Sequence, residues 1–265
     1  MNLAPPQHEP QESVDLFAAF RGLWRLLWRR QLVWRRLLGH AAALGGFTLL
    51  SWLVLANARN DNAFYGWVVV FYFLMVMPLF CLNVCGAMIR EEAAANTLCF
   101  FTTRPLKRSE MFLMFYFGHM VWLQIVFLIQ TLLLFGIGIL VGRDVLGFLP
   151  IFLVCQFFGL MSWGALCAML GMLHARYVVL GLVYGLVVEV GIANIPTNLK
   201  YLSLSHHLRT LLVQHDGVNQ VFGNTLSAEG WGWSLVGLGA GTILFLIAGA
   251  ALFTWRELIN APAER

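Results

Sequence analysis

MFLMFYFGHMVWLQIVFLIQTLLLFGIGILV, residues 111–141, is an apolar run well beyond the length that a soluble core helix needs. About 20 apolar residues in a helix cross the roughly 30 Å of hydrocarbon in a bilayer. Within hydrocarbon every backbone amide must find its partner inside the protein, which leaves only helices or a closed barrel. The run has no alternation of period two, so it is not a barrel strand. Five further stretches qualify or come close: roughly 37–56, 63–89, 148–173, 177–193 and 231–255. The fifth in chain order, 177–193, is the shortest and contains Glu189.

Composition agrees with that reading. The chain is 60% hydrophobic and 11% charged, with a mean hydropathy of +0.75, far outside the averages of soluble domains. The expected fold is all-α: a polytopic membrane protein of six transmembrane helices, preceded by an N-terminal interfacial amphipathic helix. Arginine and lysine then orient it. With the N-terminus inside, 13 of the 17 basic residues fall on the inner side, and only Arg59, Arg143, Lys200 and Arg209 fall outside. The positive-inside rule therefore places both termini in the cytoplasm. Trp231, Trp233 and Trp255 fit the two interfacial belts at the ends of the last span. The net charge of +4 reflects this topology and does not imply nucleic acid.

Residues 1–13, rich in Pro and Glu, lack the basic start and apolar core of a signal peptide and are expected to be a disordered cytoplasmic tail. Residues 256–265 form a second cytoplasmic tail. The five cysteines, Cys81, Cys85, Cys99, Cys155 and Cys167, lie in spans or the inner loop, so no disulfide framework is expected.

Residues 14–36 read as one amphipathic helix. At 100° per residue Arg21, Arg25, Arg29, Arg35 and Arg36 share one arc. Leu23, Leu26, Leu27, Val33, Trp34 and Leu37 occupy the opposite arc, Trp24 and Trp28 lie on the margin, and Arg30 breaks the pattern. Such a helix lies in the headgroup plane with its arginines toward anionic lipid. It serves either as a basic anchor or as an elbow beside a partner.

The inner loop 90–110 stands out because everything around it suits lipid. Glu91 and Glu92 lead into Ala93-Ala94-Ala95, a strong helix former. Leu98, Phe100 and Phe101 add apolar knobs, Pro105 stops the helix, and Ser109-Glu110 can cap the next span. The order Glu91-Glu92, Thr97-Leu98, Thr102-Thr103, Pro105-Leu106, Arg108-Ser109-Glu110 resembles the cytoplasmic loop of ABC-2 type transporter permeases. Asn96 stands where Gly is usual in that family, and Met114-Phe115 replace a common Gly-Lys pair. The resemblance, carried weakly over the whole chain by its layout of spans, implies a permease subunit without enzymatic activity, more an exporter than an importer. It implies an ATPase partner contacted by Glu91, Glu92, Thr97, Leu98, Phe100, Phe101, Pro105 and Arg108, with ATP and Mg on that partner. It also implies a second permease chain, as homo- or heterodimer, and a bacterial-type plasma (inner) membrane. Residues 14–36 would be the elbow helix. Within the outer segment 194–230, the stretch from Ile195-Pro196 to Arg209 resembles the short outer helix that precedes the last span of such permeases. Glu92-Ala93-Ala94 is also similar to the loop of ABC importers, but that family's downstream Gly and Leu-Pro are missing.

The residues themselves bound the chemistry. Lys107 follows Leu106 and Lys200 follows Leu199, so no lysine stands after Gly as a P-loop requires. Ser51 and Ser162 lack a nucleophile-elbow setting, and no catalytic nucleophile accompanies the polar arc Tyr116, His119, Gln124, Gln130 and Thr131. Tyr116, His119, Gln124 and Gln130 are the candidates for a translocation path. Met77, Cys81, Cys85 and Met88 share a face that could hold Cu(I), although packing is the commoner use of such residues. His206, His207, His215 and Asp216 have no zinc-site spacing, so no metal is expected. Glu189, near the outer end of its span, is expected to snorkel to the interface. Gly181, Gly185, Gly237, Gly239 and Gly241 offer close packing within or between chains. The rival reading is a non-transporting membrane subunit that passes force from an ATPase to an outer partner.

Overall fold

Val33 interrupts the helix expected over 14–36. Its backbone is extended (φ −62°, ψ 129°), and its carbonyl accepts from the amides of Arg36 and Leu37, so a second helix starts there. A computed structural model describes residues 16–58, 60, 62–94, 107–191, 198–222 and 230–255. Helix α1 spans Leu16–Gln31 and α2 spans Trp34–Asn57. Arg35 and Arg36 therefore belong to the first long apolar helix, and the basic arc is divided between two elements.

The second long helix starts as α3 (Ala63–Trp67), runs through a π-helical segment, Val68–Val76, and continues as α4 (Met77–Val84). A turn at residues 85–87 leads into α5 (Met88–Ala94). Helix α6 (Arg108–Leu140) follows. Its start is held by the Glu110 carboxylate, which accepts from the Lys107 amide at 3.3 Å, while Ser109 lies inside the first turn. Gly142, at φ +80°, ends α6, and Arg143 donates its amide back to the Gly138 carbonyl. Only glycine takes that left-handed conformation without strain. A 3-10 turn, Leu146–Phe148, opens α7 (Leu149–Leu173).

Then come α8 (Tyr177–Tyr184), continued by a π-helical Gly185–Gly191, and a 3-10 turn, Asn198–Leu202. The short helices α9 (Leu204–Leu212) and α10 (Asp216–Phe222) precede the final α11 (Trp231–Trp255).

Among the described residues all regular structure is helical, and five helices are long and apolar enough to cross a membrane. These are Trp34–Asn57, Ala63–Ala93, Arg108–Leu140, Leu146–Leu173 and Trp231–Trp255. The stretch expected as a span over 177–193 is shorter: its apolar helix is Tyr177–Glu189. At about 1.5 Å per residue it reaches roughly 20 Å, less than the hydrocarbon thickness.

Helix α7 sits at the centre, and α2 at the edge buries only Phe47, Ser51 and Leu55. The core is aromatic. Tyr72, Phe73, Phe135 and Phe148 all pack around the Phe152 ring with centroids 5.0–5.8 Å away, the spacing of favourable edge and offset contacts. Buried hydrogen bonds join the helices where only a few polar side chains are available. The Tyr72 hydroxyl donates to Gln156 Oε1 at 2.7 Å, and the Thr131 hydroxyl reaches the same oxygen. Ser162 and Thr242 pair at 2.9 Å between α7 and α11. Gly171 lets α7 touch the turn after α4: a Cβ there would lie 2.2 Å from the Gly86 carbonyl oxygen. Large apolar side chains cover the outward faces, with Leu132, Leu140, Leu186 and Ile247 all exposed.

Candidate functional site

The helix break at Val33 has a direct electrostatic consequence. It lets Arg30, at the end of α1, and Arg36, at the start of α2, both reach α5. Arg30 donates to Glu92, Arg36 donates to Glu91, and Arg30 also lies 4.0 Å from Glu91. Glu92 is 2% exposed, so its charge is held by these partners and not by water. Desolvating a carboxylate is costly unless it is paired and hydrogen-bonded. Next to it, Arg90 Nε donates to the Gly171 carbonyl at 2.6 Å, in the last turn of α7. A cation there satisfies carbonyls that have no helical partner.

Of the residues expected to meet an ATPase, Glu91 and Glu92 are therefore engaged with α1 and α2, and Glu91 keeps a partly exposed carboxylate. Arg108 stands at the far side of the loop, where it donates to the Thr254 carbonyl at 3.3 Å in the last turn of α11. Thr97, Leu98, Phe100, Phe101 and Pro105 lie outside the described residues. The described residues before 95 are thus ion-paired to α1 and α2, and Arg108, after 106, bonds to the end of α11.

The four path candidates on α6 separate in space. The Tyr116 hydroxyl donates to the Met161 carbonyl at 2.8 Å, and Gln124 Nε2 donates to the Phe157 carbonyl at 3.3 Å, both on α7. Gln130, fully buried, donates to the Thr48 hydroxyl of α2 at 3.2 Å. These three side chains tie helices together. His119 lines a cavity of about 390 Å³ at the foot of α2.

At the opposite end, Glu189 is buried and does not snorkel. Its carboxylate accepts from the Ser203 hydroxyl at 2.6 Å and from the amides of Leu204 and Ser205 at 3.1 and 2.8 Å. It thereby caps the N-terminus of α9, where unpaired amides and the helix dipole favour an anion. Ser203 completes the cap by accepting from the His206 amide. With its start so held, α9 lies buried among the spans from Leu204 to Leu208. Arg209 follows on the same helix, and burial pulls its guanidinium below the ordinary range, opposed by the nearby Glu189 charge. The histidines do not converge. His206 meets the Tyr201 ring edge-on and His207 stacks on it, whereas His215 packs on Tyr65 and Phe148. A second, mostly apolar cavity of about 290 Å³ lies between α4, α7 and α8 and ends at Glu189 and Arg209.

Glu189 is legible in the sequence as an ionisable group in a span, whereas Gln156, Thr242 and the pairing of Arg30 with Glu92 are not. Those partners are distant in sequence and carry no periodic signal. The class defined by the fold is a helical protein with five candidate membrane-crossing helices. Comparison of the sequence with protein-family models and with curated protein sequences finds no match.

Proposed function

We propose that the chain is the membrane-spanning permease subunit of an ABC-2 type transporter, an exporter driven by a separate ATPase subunit that carries ATP and Mg. In this reading Tyr177–Gly191 completes a sixth crossing. Its start packs beside Gly86 and its far end caps α9, at opposite ends of the bundle, which supports the count. Helix α1 is the elbow helix. It packs Leu27 against Gly118 of α6, with Trp28 edge-on to Trp122, and leaves Arg21, Arg25 and Arg29 exposed toward anionic headgroups. Helices α9 and α10 correspond to the short outer segment before the last span. Both termini are cytoplasmic, and the protein resides in a bacterial-type inner membrane.

The observation that carries the proposal is the ion-paired junction of α1, α2 and α5. A partner that moves residues 95–106 pulls on Glu91 and Glu92, and through Arg30 and Arg36 on the elbow and the first span. A second chain would pack on open apolar helix faces such as those of Leu132 on α6 and Ile247 on α11. A subunit that only passes force outward needs a large outer surface, and the burial of α9 leaves little for it.

The test is co-purification of an ATPase subunit with the detergent-extracted chain, with substrate-stimulated ATP hydrolysis as the second readout. Leu98→Asp and Phe101→Asp should abolish both, since each buries an unpaired charge in the partner's groove. An exposed control at the other end, Asp144→Asn, should retain both. Full co-purification and hydrolysis with both Asp variants would reduce the loop to a connector and end the proposal.

A further inference from the structure

The cavity at the foot of α2 is lined from α1, α2, α4, α5 and α6. Two of its lining side chains, Gln31 and His119, are each 5% exposed. Neither the Gln31 amide nor His119 Nε2 has a hydrogen-bond partner among the described residues. His119 Nδ1 lies 2.8 Å from the Phe115 carbonyl. A carbonyl only accepts, so Nδ1 carries the proton, and the neutral ring offers Nε2 to the cavity as an acceptor. Both groups open onto the cavity, so their partner is supplied from within it. The cavity is also many times the roughly 30 Å³ of a single water.

The remaining lining defines what would fit. Arg36 and Glu91 sit on the cavity wall as an ion pair, so their charges cancel and neither a net cation nor a net anion is favoured. Asn83, which is exposed, and the Phe80 ring also line the cavity. An acceptor set of carboxylate, imidazole and amide oxygens matches the three N–H donors of a primary ammonium. The guanidinium and the two amide NH2 groups match a phosphate. Phe80 supplies an aromatic face to the ammonium. Leu79, exposed on α4, extends the wall along the outward apolar face of the bundle.

We infer that this cavity binds a phosphoethanolamine group, presented by a membrane lipid whose acyl chains run along the Leu79 face of α4. Choline has the same charge but no N–H to give to His119 and Glu91, and a phosphoglycerol group brings a net negative charge. The inference requires only that α2 and α4 cross a bilayer and is independent of the transport reading.

The full chain is reconstituted in nanodiscs of phosphatidylcholine containing either phosphatidylethanolamine or phosphatidylglycerol. Lipid retained after detergent extraction is measured by native mass spectrometry. Phosphatidylethanolamine should be retained over both other lipids. Gln31→Leu and His119→Leu should each weaken retention about tenfold, the loss of one charge-assisted hydrogen bond. Leu140→Ala, exposed at the far end of α6, should change nothing. Displacement by soluble O-phosphoethanolamine would support the headgroup chemistry and make the free compound its source; no displacement would support the lipid. Equal retention of all three lipids by the unmodified chain overturns the inference even if the variants do not fold, as does an undiminished preference in both variants.

Discussion

Glu189 is an ionisable residue in an apolar helix, and the three hydrogen bonds it accepts from Ser203, Leu204 and Ser205 explain why it is tolerated there. Glu189→Ala should therefore lower stability by about 1–3 kcal/mol, the cost of leaving buried donors unsatisfied. Glu189→Gln, which keeps one acceptor oxygen, should lose less. Thermal unfolding in detergent measures both, and equal melting of Glu189→Ala and the parent would show that the cap is idle. Glycines of the same run also differ. A Cβ at Gly237 would lie 2.6 Å from the His207 ring, whereas Gly239 faces open space. Gly237→Ala should destabilise by about 1–3 kcal/mol through overpacking. Gly239→Ala should be neutral or stabilising by up to about 1 kcal/mol, from helix propensity alone. The same assay must return a loss for Gly237→Ala and none for Gly239→Ala. Both glycines were legible as packing candidates, but which one faces a neighbour depends on the rotation of α11.

At the scale of elements, the junction of α1, α2 and α5 is the feature with most consequence. The arginine arc was visible in the periodicity, and so was the acidic pair at the end of the second span. Arg30 looked like the exception to the arc, yet it is the residue that neutralises buried Glu92. Its position off the basic face is what turns it inward. Glu92→Lys should cost about 3 kcal/mol, since a cation at this buried position then meets the like charge of half-buried Arg30. Adding Arg30→Glu should recover part of that loss. A double-mutant cycle on unfolding checks this, and strictly additive effects would mean that the two side chains do not interact. The π-helical segments Val68–Val76 and Gly185–Gly191 had no signal in the sequence. Such segments shift the register of a helix without changing its composition.

For the whole molecule, the order of helices makes a topological claim. Asn60 and Asp144 lie at one end of the bundle, where Arg143 donates to the carbonyls of Ala58 and Asn60, and Arg176 lies at the other. Single cysteines at Asn60 and Asp144 in a cysteine-free background should react with an impermeant thiol reagent added to intact cells. One at Arg176 should react only after the membrane is opened. Labelling of Arg176 from outside would reverse the arrangement. Hydropathy along the chain determined the helical class, the approximate places of the five long helices and the weakness of the stretch at Glu189. These are sums over neighbouring residues, and each helix satisfies its own backbone. Tertiary structure alone decided the break at Val33, the pairing of Arg30 and Arg36 with α5, the cap on α9 and the cavity around His119. Lipid and protein interior are equally apolar, so hydropathy does not set how a helix is rotated about its axis. That rotation is set by the few polar side chains and close glycine contacts that can be satisfied only between helices.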